Sequence, residues 1–271
     1  MSDREPHGHR LEATALHLAY DGVRVVHGVD LAVAPARITA IVGANASGKS
    51  TLLRGLARLL KPAGGGVTLD GSDIHRLPTR SVARILGLLP QEPRAPEGIT
   101  VGDLVARGRH PHRGALGRWS AADEAAVHEA LAATGTAGLT GRRVDALSGG
   151  QRQRAWIAMA LAQDPAVLML DEPTSFLDLT HQLDVLELLR ALNRTRGTTV
   201  VMVLHELNLA ARYADRIVVM AAGRAVAAGA PAEVMTPAVI RDAFALEARV
   251  VDDPVAGTPM IVPVGRAAAP A

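Results

Sequence analysis

The chain has 271 residues, 48% apolar and 21% charged, with no cysteine and a formal net charge of +2. That length allows one large α/β domain or two small ones around a buried core. The missing cysteines exclude a disulfide framework and a thiol nucleophile, and aromatics at 2% leave too few stacking side chains for a binder of single-stranded nucleic acid. The opening stretch MSDREPHGHRLEAT is polar and lacks the apolar core of a secretory signal. The apolar runs at 200–204 and 217–222 fall far short of the roughly 20 residues that a membrane span needs.

Residues 31–42 read as strand, broken by a turn at Ala34-Pro35. Residues 38–42 run straight into Gly43. Behind the following glycines, Leu52, Leu53, Leu56, Leu59 and Leu60 give residues 50–60 an apolar helical face, with Lys61 in the last turn and Pro62 as the stop. Gly64-Gly65-Gly66 reads as a turn, 67–69 as a short strand and Asp70-Gly71 as another turn. Residues 85–89 form an apolar run that ends at Pro90-Gln91. From Pro93 to Leu147 the pattern turns helical. Ser120 and Asp123 make a capping-box start, followed by Val127, Ala130, Leu131 and Thr134 at helical spacing. A helix from Gln151 to Ala162, a buried strand at 167–170, a helix at 179–192 closed by Gly197, and a buried strand at 200–204 come next. Strands alternating with helices predict a largely parallel sheet covered on both faces. Residues 217–220 and 225–228 predict a late hairpin. The alanine-rich last residues are expected to fray.

Three segments carry chemistry. Residues 43–50, GANASGKS, have the spacing of a phosphate cradle, with a strand before and a helix after. Backbone N–H groups of such a loop and the helix N-terminus converge on anionic oxygens. Glycines let the backbone approach without a Cβ in the way. Lys49 adds a full charge, and the Ser50 hydroxyl suits Mg²⁺. Ala46 is strained if its position requires a positive φ. Asp171 follows a buried strand, where ligands of parallel sheets bind. It suits a Mg²⁺ shell, and Glu172 beside it can polarise a water. An isolated Asp-Glu pair is most simply a solvated turn; behind a buried strand in a chain with this cradle it is not. His205 follows the strand at 200–204 and can reach a γ-phosphate from the same sheet edge. The third segment, LSGGQ at 147–151, is a second glycine-rich turn at the start of a helix.

Taken together these segments resemble the ABC-type ATPases. LSGGQ is similar to their signature motif, GANASGKS to their P-loop and VLMLDEP to their Walker B strand. Gln91 lies where their Q-loop glutamine is expected, Ser175 to Asp178 resembles their D-loop, and His205 their switch histidine. Tyr20 stands where the family places an adenine-stacking aromatic. The resemblance covers nearly the whole chain. It implies an α/β P-loop NTPase with a mainly parallel sheet core, an N-terminal antiparallel β portion and an inserted helical subdomain at about 93–147. The ATP-binding domain would run over 10–247, with a tail at 248–271. It further implies ATP held by Tyr20, Gly43, Ala44, Asn45, Ala46, Ser47, Gly48, Lys49, Ser50 and Thr51. Mg²⁺ would be held by Ser50, Gln91 and Asp171, and Glu172 and His205 would be catalytic. Two subunits would pack head to tail, so that Ser148, Gly149, Gly150, Gln151 and Asp178 of one serve the ATP of the other. In the D-loop, Phe176 replaces the usual Ala, which bears on dimer communication.

One ATPase domain without a membrane span resembles the separate ATPase subunit of an importer. Residues 96–112, 172–189 and 250–263 resemble the ferric-siderophore branch, which sits close to the haem and cobalamin importers. The resemblance therefore implies an ATPase at the cytoplasmic face of the membrane. Its partners would be transmembrane permease subunits and, indirectly, an extracytoplasmic siderophore-binding protein, with no nucleic acid. A soluble ABC ATPase acting on DNA, ribosomes or iron–sulfur assembly ranks behind it, because the chain has a single LSGGQ and no heptad run. His110 and His112 lack a third ligand and read as a solvated or interface pair. Arg107, Arg109 and Arg113 read as a solvated face or a surface for the permease.

Overall fold

The computed structural model describes residues 8–113 and 117–267. The first part of the polar N-terminal stretch, the end of the alanine-rich tail and three residues of the helical insertion lie outside them. In chain order the chain forms β1 (Leu11–Tyr20), β2 (Val23–Val33), β3 (Ile38–Gly43), α1 (Lys49–Leu56), β4 (Gly64–Leu69), β5 (Ser72–Asp73), α2 (Thr79–Ile85), β6 (Leu86–Leu89) and α3 (Val101–Arg107). It continues as α4 (Ala121–Ala133), α5 (Gly149–Ala162), β7 (Val167–Asp171), α6 (Leu179–Arg196), β8 (Thr199–Val203) and α7 (Leu207–Tyr213). It closes with β9 (Arg216–Ala221), β10 (Arg224–Gly229), α8 (Pro231–Val234), α9 (Pro237–Phe244), β11 (Leu246–Asp252) and β12 (Pro259–Arg266).

By internal contacts the chain divides into two units. The first joins residues 10–76 to 200–267. Here β3 runs parallel to both β8 and β9, and β10 returns antiparallel along β9. Every residue of β3 is buried, and so is every residue of β8. That burial on both faces matches their nearly continuous apolar sequences, interrupted by Thr39 in β3 and Thr199 in β8. A separate antiparallel sheet places β1 between β2 and β4, the predicted N-terminal β portion. The late hairpin also forms as expected. Its turn uses Ala222 and Gly223, both at positive φ, as a tight hairpin demands.

The second unit, residues 77–199, carries the helical insertion. Strands β6 and β7 pair in parallel, with Leu89 opposite Leu170. Helix α5 packs against α3 and α4. The Ser120–Asp123 capping box is present at the start of α4, and Val127, Ala130 and Leu131 are buried on its inner face. Helix α6 extends to Arg196, where Gly197 at φ 67° caps it.

Helix α1 and the triglycine differ from expectation. Helix α1 stops at Leu56 instead of Leu60. Arg58 takes a left-handed conformation, and the N–H of Leu59 bonds back to Arg54, so Leu59 ends up 66% exposed. Gly55 near that end packs on β1, where a Cβ would meet Leu18 Cδ1 at 2.6 Å. Tight packing thus places a poor helix former in the last turn. The triglycine is not a turn but the first half of β4. Gly65, at φ +64°, crosses a bulge in β1 where Ala15 also has positive φ, and a Cβ there would lie 2.0 Å from the Ala15 carbonyl oxygen. Glycine is needed for the close crossing of two backbones.

Residues 246–266 form the antiparallel pair β11–β12. Asn208 on α7 holds it. Its Nδ2 donates to the Ile261 carbonyl at 3.2 Å, and its Oδ1 accepts from the Ile261 N–H at 2.8 Å.

Candidate functional site: a phosphate cradle and two carboxylate turns

In the first unit, β3 delivers Gly43 into a tight turn that ends at Gly48, the N-cap of α1. Gly48 has φ 96° and Ala46 φ 60°, so the strain expected if Ala46 needs positive φ is present. A Cβ on Gly43 would sit 2.2 Å from the Met220 carbonyl and 2.6 Å from Ser47 Oγ. The loop is therefore closed to any side chain at that point. Lys49 is only 5% exposed. Its ammonium donates to the carbonyls of Gly43 and Ala44 at 3.0 and 2.9 Å, folding over the loop it follows. Ser47 is buried as well, and its hydroxyl has no hydrogen-bond partner among the described residues. A buried hydroxyl without a partner is costly, and an anionic oxygen seated in the loop would satisfy it. The residues present thus fit a phosphate group.

The same unit carries three other predicted residues, His205, Thr51 and Tyr20. The N–H of Leu204 donates to the Ile41 carbonyl at 3.1 Å. That bond brings the chain entering His205 to the end of β3 that feeds Gly43. Thr51 is buried in the first turn of α1. Tyr20 ends β1 half-exposed, and Arg54 of α1 reaches its hydroxyl at 3.4 Å.

The second unit holds the carboxylates. All of β7 is buried, including Asp171 at its C-terminal end. The pairing of β6 with β7 brings Gln91 to the same edge, and Gln91 Nε2 donates to Glu172 Oε2 at 2.6 Å. Ser175 Oγ donates to the same oxygen at 2.8 Å. Glu172 has φ 54°, an uncommon conformation for a residue other than glycine.

The signature turn opens α5. Ser148 is the N-cap. Its Oγ accepts the Gln151 N–H and its own N–H donates to Gln151 Oε1, both at 3.3 Å. This reciprocal box is the local reason a helix starts at Gly149. Its first N–H groups have no intrahelical acceptor. Asp178 caps α6 by accepting the His181 N–H at 2.9 Å. The backbone N–H and ring of His181 hold the Asp178 carboxyl below the usual carboxylate range. Phe176 is 90% exposed at φ 62°.

Two sequence readings change. Arg109 is not on a solvated face; it is buried and paired with Asp123 at 2.9 Å. His112 Nε2 is hydrogen-bonded to the Gln163 carbonyl at 2.8 Å. The partners Ser175 and His181 were not assigned roles from sequence. His181 carries a readable signal, standing three residues after the capping Asp178.

Comparison with known proteins agrees with this geometry. The ABC transporter family model matches residues 26–175. The achromobactin transport ATP-binding protein CbrD of Dickeya dadantii (strain 3937) is 53% identical over 93% of this chain and 93% of its own length. The ferric enterobactin transport ATP-binding protein FepC of Escherichia coli (strain K12) is 50% identical over 96% of each. Among solved structures, an inward-facing metal-chelate type ABC transporter superposes with a TM-score of 0.82 at 27% identity, over 95% of this chain and 98% of that one. With this cradle, these carboxylate turns and those relatives, the chain belongs to the ABC transporter family and is one of its ATPases.

Proposed function

We propose that the chain is the ATP-hydrolysing subunit of an importer that energises uptake of iron(III)–siderophore complexes across the cytoplasmic membrane. The observation that carries the motor is the buried Ser47 hydroxyl, without a partner among the described residues, inside a loop that admits no side chain at Gly43. The cargo reading is supported by relatives named for achromobactin and ferric enterobactin transport.

In this reading the N–H groups of residues 44–49 and the Lys49 ammonium hold the outer phosphates, and Tyr20 stacks on adenine. Ser50, Gln91 and Asp171 offer hydroxyl, amide and carboxylate oxygens, the hard donors that suit Mg²⁺. When bound, the ion neutralises charge on the phosphate oxygens. Glu172 takes the proton of the attacking water, and His205 donates to the γ-phosphate. Ser148, Gly149, Gly150 and Gln151 form a helix N-terminus whose N–H groups and dipole favour an anion. They serve the ATP of a second copy packed head to tail, and Asp178 lines the same contact. A lone subunit then hydrolyses slowly, because its own site lacks those donors. Among the described residues no helix is long and apolar enough to cross a membrane. The subunit works peripherally at the cytoplasmic face, on transmembrane permease subunits fed by an extracytoplasmic siderophore-binding protein.

The test is uptake of radiolabelled ferric siderophore by cells lacking the protein, complemented with wild type or Lys49→Ala. Loss of uptake, restored by wild type and not by the variant, supports the reading. Unchanged uptake overturns the cargo and moves the assay to haem and cobalamin, which use the same site residues.

A further inference from the structure

Gly150 stands in the first turn of α5, beside the exposed Ser148 and Gly149, yet it is buried. His181 covers it. A Cβ built on Gly150 would lie 2.3 Å from His181 Cδ2 and 2.9 Å from both Cγ and Nε2. The bare Cα is therefore in contact with the imidazole, and no other residue type fits there without moving the ring. On its opposite edge the ring places Nδ1 2.7 Å from Asp178 Oδ1. The His181 backbone N–H reaches the same oxygen at 2.9 Å. One side chain thus touches the signature turn on one side and the D-loop carboxylate on the other.

The ring is not part of the hydrophobic core, since 37% of its side chain is exposed. Its removal uncovers Gly150, whereas the buried apolar side chains of α5 and α6 are other residues, such as Ile157 and Leu186. What it fixes is the spacing between the first-turn N–H groups of α5 and the cap of α6. We propose that His181 is a positioning residue that locks the Gly149–Gly150 turn to Asp178, so that both meet the partner subunit's nucleotide as one preformed surface. This rests on the reading above, in which the signature turn closes on the ATP of a second copy. Preformed donors need no reorganisation when the dimer closes, and a loosened pair does.

The test uses the full chain carrying Glu172→Gln, in which loss of the base is expected to let the ATP-bound dimer accumulate. The ATP concentration for half-maximal dimerisation is read by analytical ultracentrifugation. Melting temperature and the affinity of the protomer for a fluorescent ATP analogue are read in parallel. His181→Ala raises that concentration about tenfold, the scale of one lost charge-assisted hydrogen bond, with the melting temperature and analogue affinity unchanged. His181→Asn keeps a donor at the Nδ1 position and recovers most of the loss. Without the Glu172 substitution, His181→Ala lowers kcat while KM holds. Dimerisation of His181→Ala at the parent's ATP concentration overturns the proposal, and so does a shift accompanied by a matching fall in melting temperature. If the alanine variant does not fold, His181→Phe keeps a ring against Gly150 and loses the Asp178 bond; the proposal then requires the Asn variant to dimerise at lower ATP than the Phe variant. Ser148→Arg is the control for the underlying reading. If it dimerises like the parent, the signature turn does not meet the partner's nucleotide, and that reading fails whatever His181 does.

Discussion

The side-chain amide of Gln91 donates to the Glu172 carboxylate at 2.6 Å, from a residue 81 positions away in sequence. Strand pairing makes this possible, because Leu89 and Leu170 sit opposite each other and both chains leave the sheet at one edge. With Ser175 as a second donor to the same oxygen, the carboxylate is held in place before any water arrives.

Glu172→Gln keeps the size of that side chain and removes its basicity. Phosphate release is expected to fall by a factor of about 10² or more, the scale of one lost general base. ATP binding should persist, and a dimer should appear on gel filtration in ATP. A variant that stays monomeric in saturating ATP contradicts the assignment of Glu172.

Ala46 occupies a left-handed position at φ 60° in the phosphate loop. Glycine adopts that conformation freely, whereas a β-branched side chain there is a genuine outlier. Ala46→Gly should bind ATP like the wild type. Ala46→Val should lose about 1–3 kcal/mol of stability and bind ATP at least about tenfold more weakly. Thermal melting and a fluorescent nucleotide titration check both.

Arg109 and Asp123 form an ion pair with side chains only 9% and 6% exposed. Arg109 also donates to the Ala162 carbonyl at 2.8 Å, at the end of α5. Hydrogen bonds from Arg109 first, then Ser120, pull the Asp123 carboxyl from its ordinary 3.8 down to about 2. A depressed carboxyl contributes stability that is complete above 3.8 and is lost as pH falls towards 2. Asp123→Asn should cost about 2–4 kcal/mol at neutral pH, because it strands a buried guanidinium. The variant's stability should also fall less than the wild type's across that acid window, as measured by urea unfolding.

Asn208 holds the C-terminal hairpin through two reciprocal bonds to Ile261. Asn208→Ala leaves both backbone groups of Ile261 without that partner and should cost about 1–3 kcal/mol. Limited proteolysis in the turn between β11 and β12 should speed up, while ATP affinity stays unchanged.

The site was legible in sequence wherever chemistry is local. The strand, loop and helix order around GANASGKS and the buried strand before Asp171–Glu172 read as the structure has them, because strand, loop and helix cap are set within a few residues; the helix after LSGGQ reads from Gln151 in sequence and starts at Gly149. Elements bounded by turn chemistry, such as the 217–228 hairpin and the Ser120 cap, were readable for the same reason. The triglycine misled because Gly65 answers to Ala15, 50 positions away. The end of α1 misled because Leu59 looks apolar to a pattern, while Gly55 responds to Leu18.

The sequence by itself therefore determined the family, the strand–loop–helix around GANASGKS and the order of the candidate site segments, since short-range spacing and backbone conformation specify them. Only the tertiary structure decided what each polar group faces. It turned Arg109 inward onto Asp123, set Gln91 on Glu172 and slid His181 between Gly150 and Asp178. Those pairings join residues that are distant in sequence or lie on different elements. A buried polar group must find a partner across the fold, and no local pattern records which one it finds.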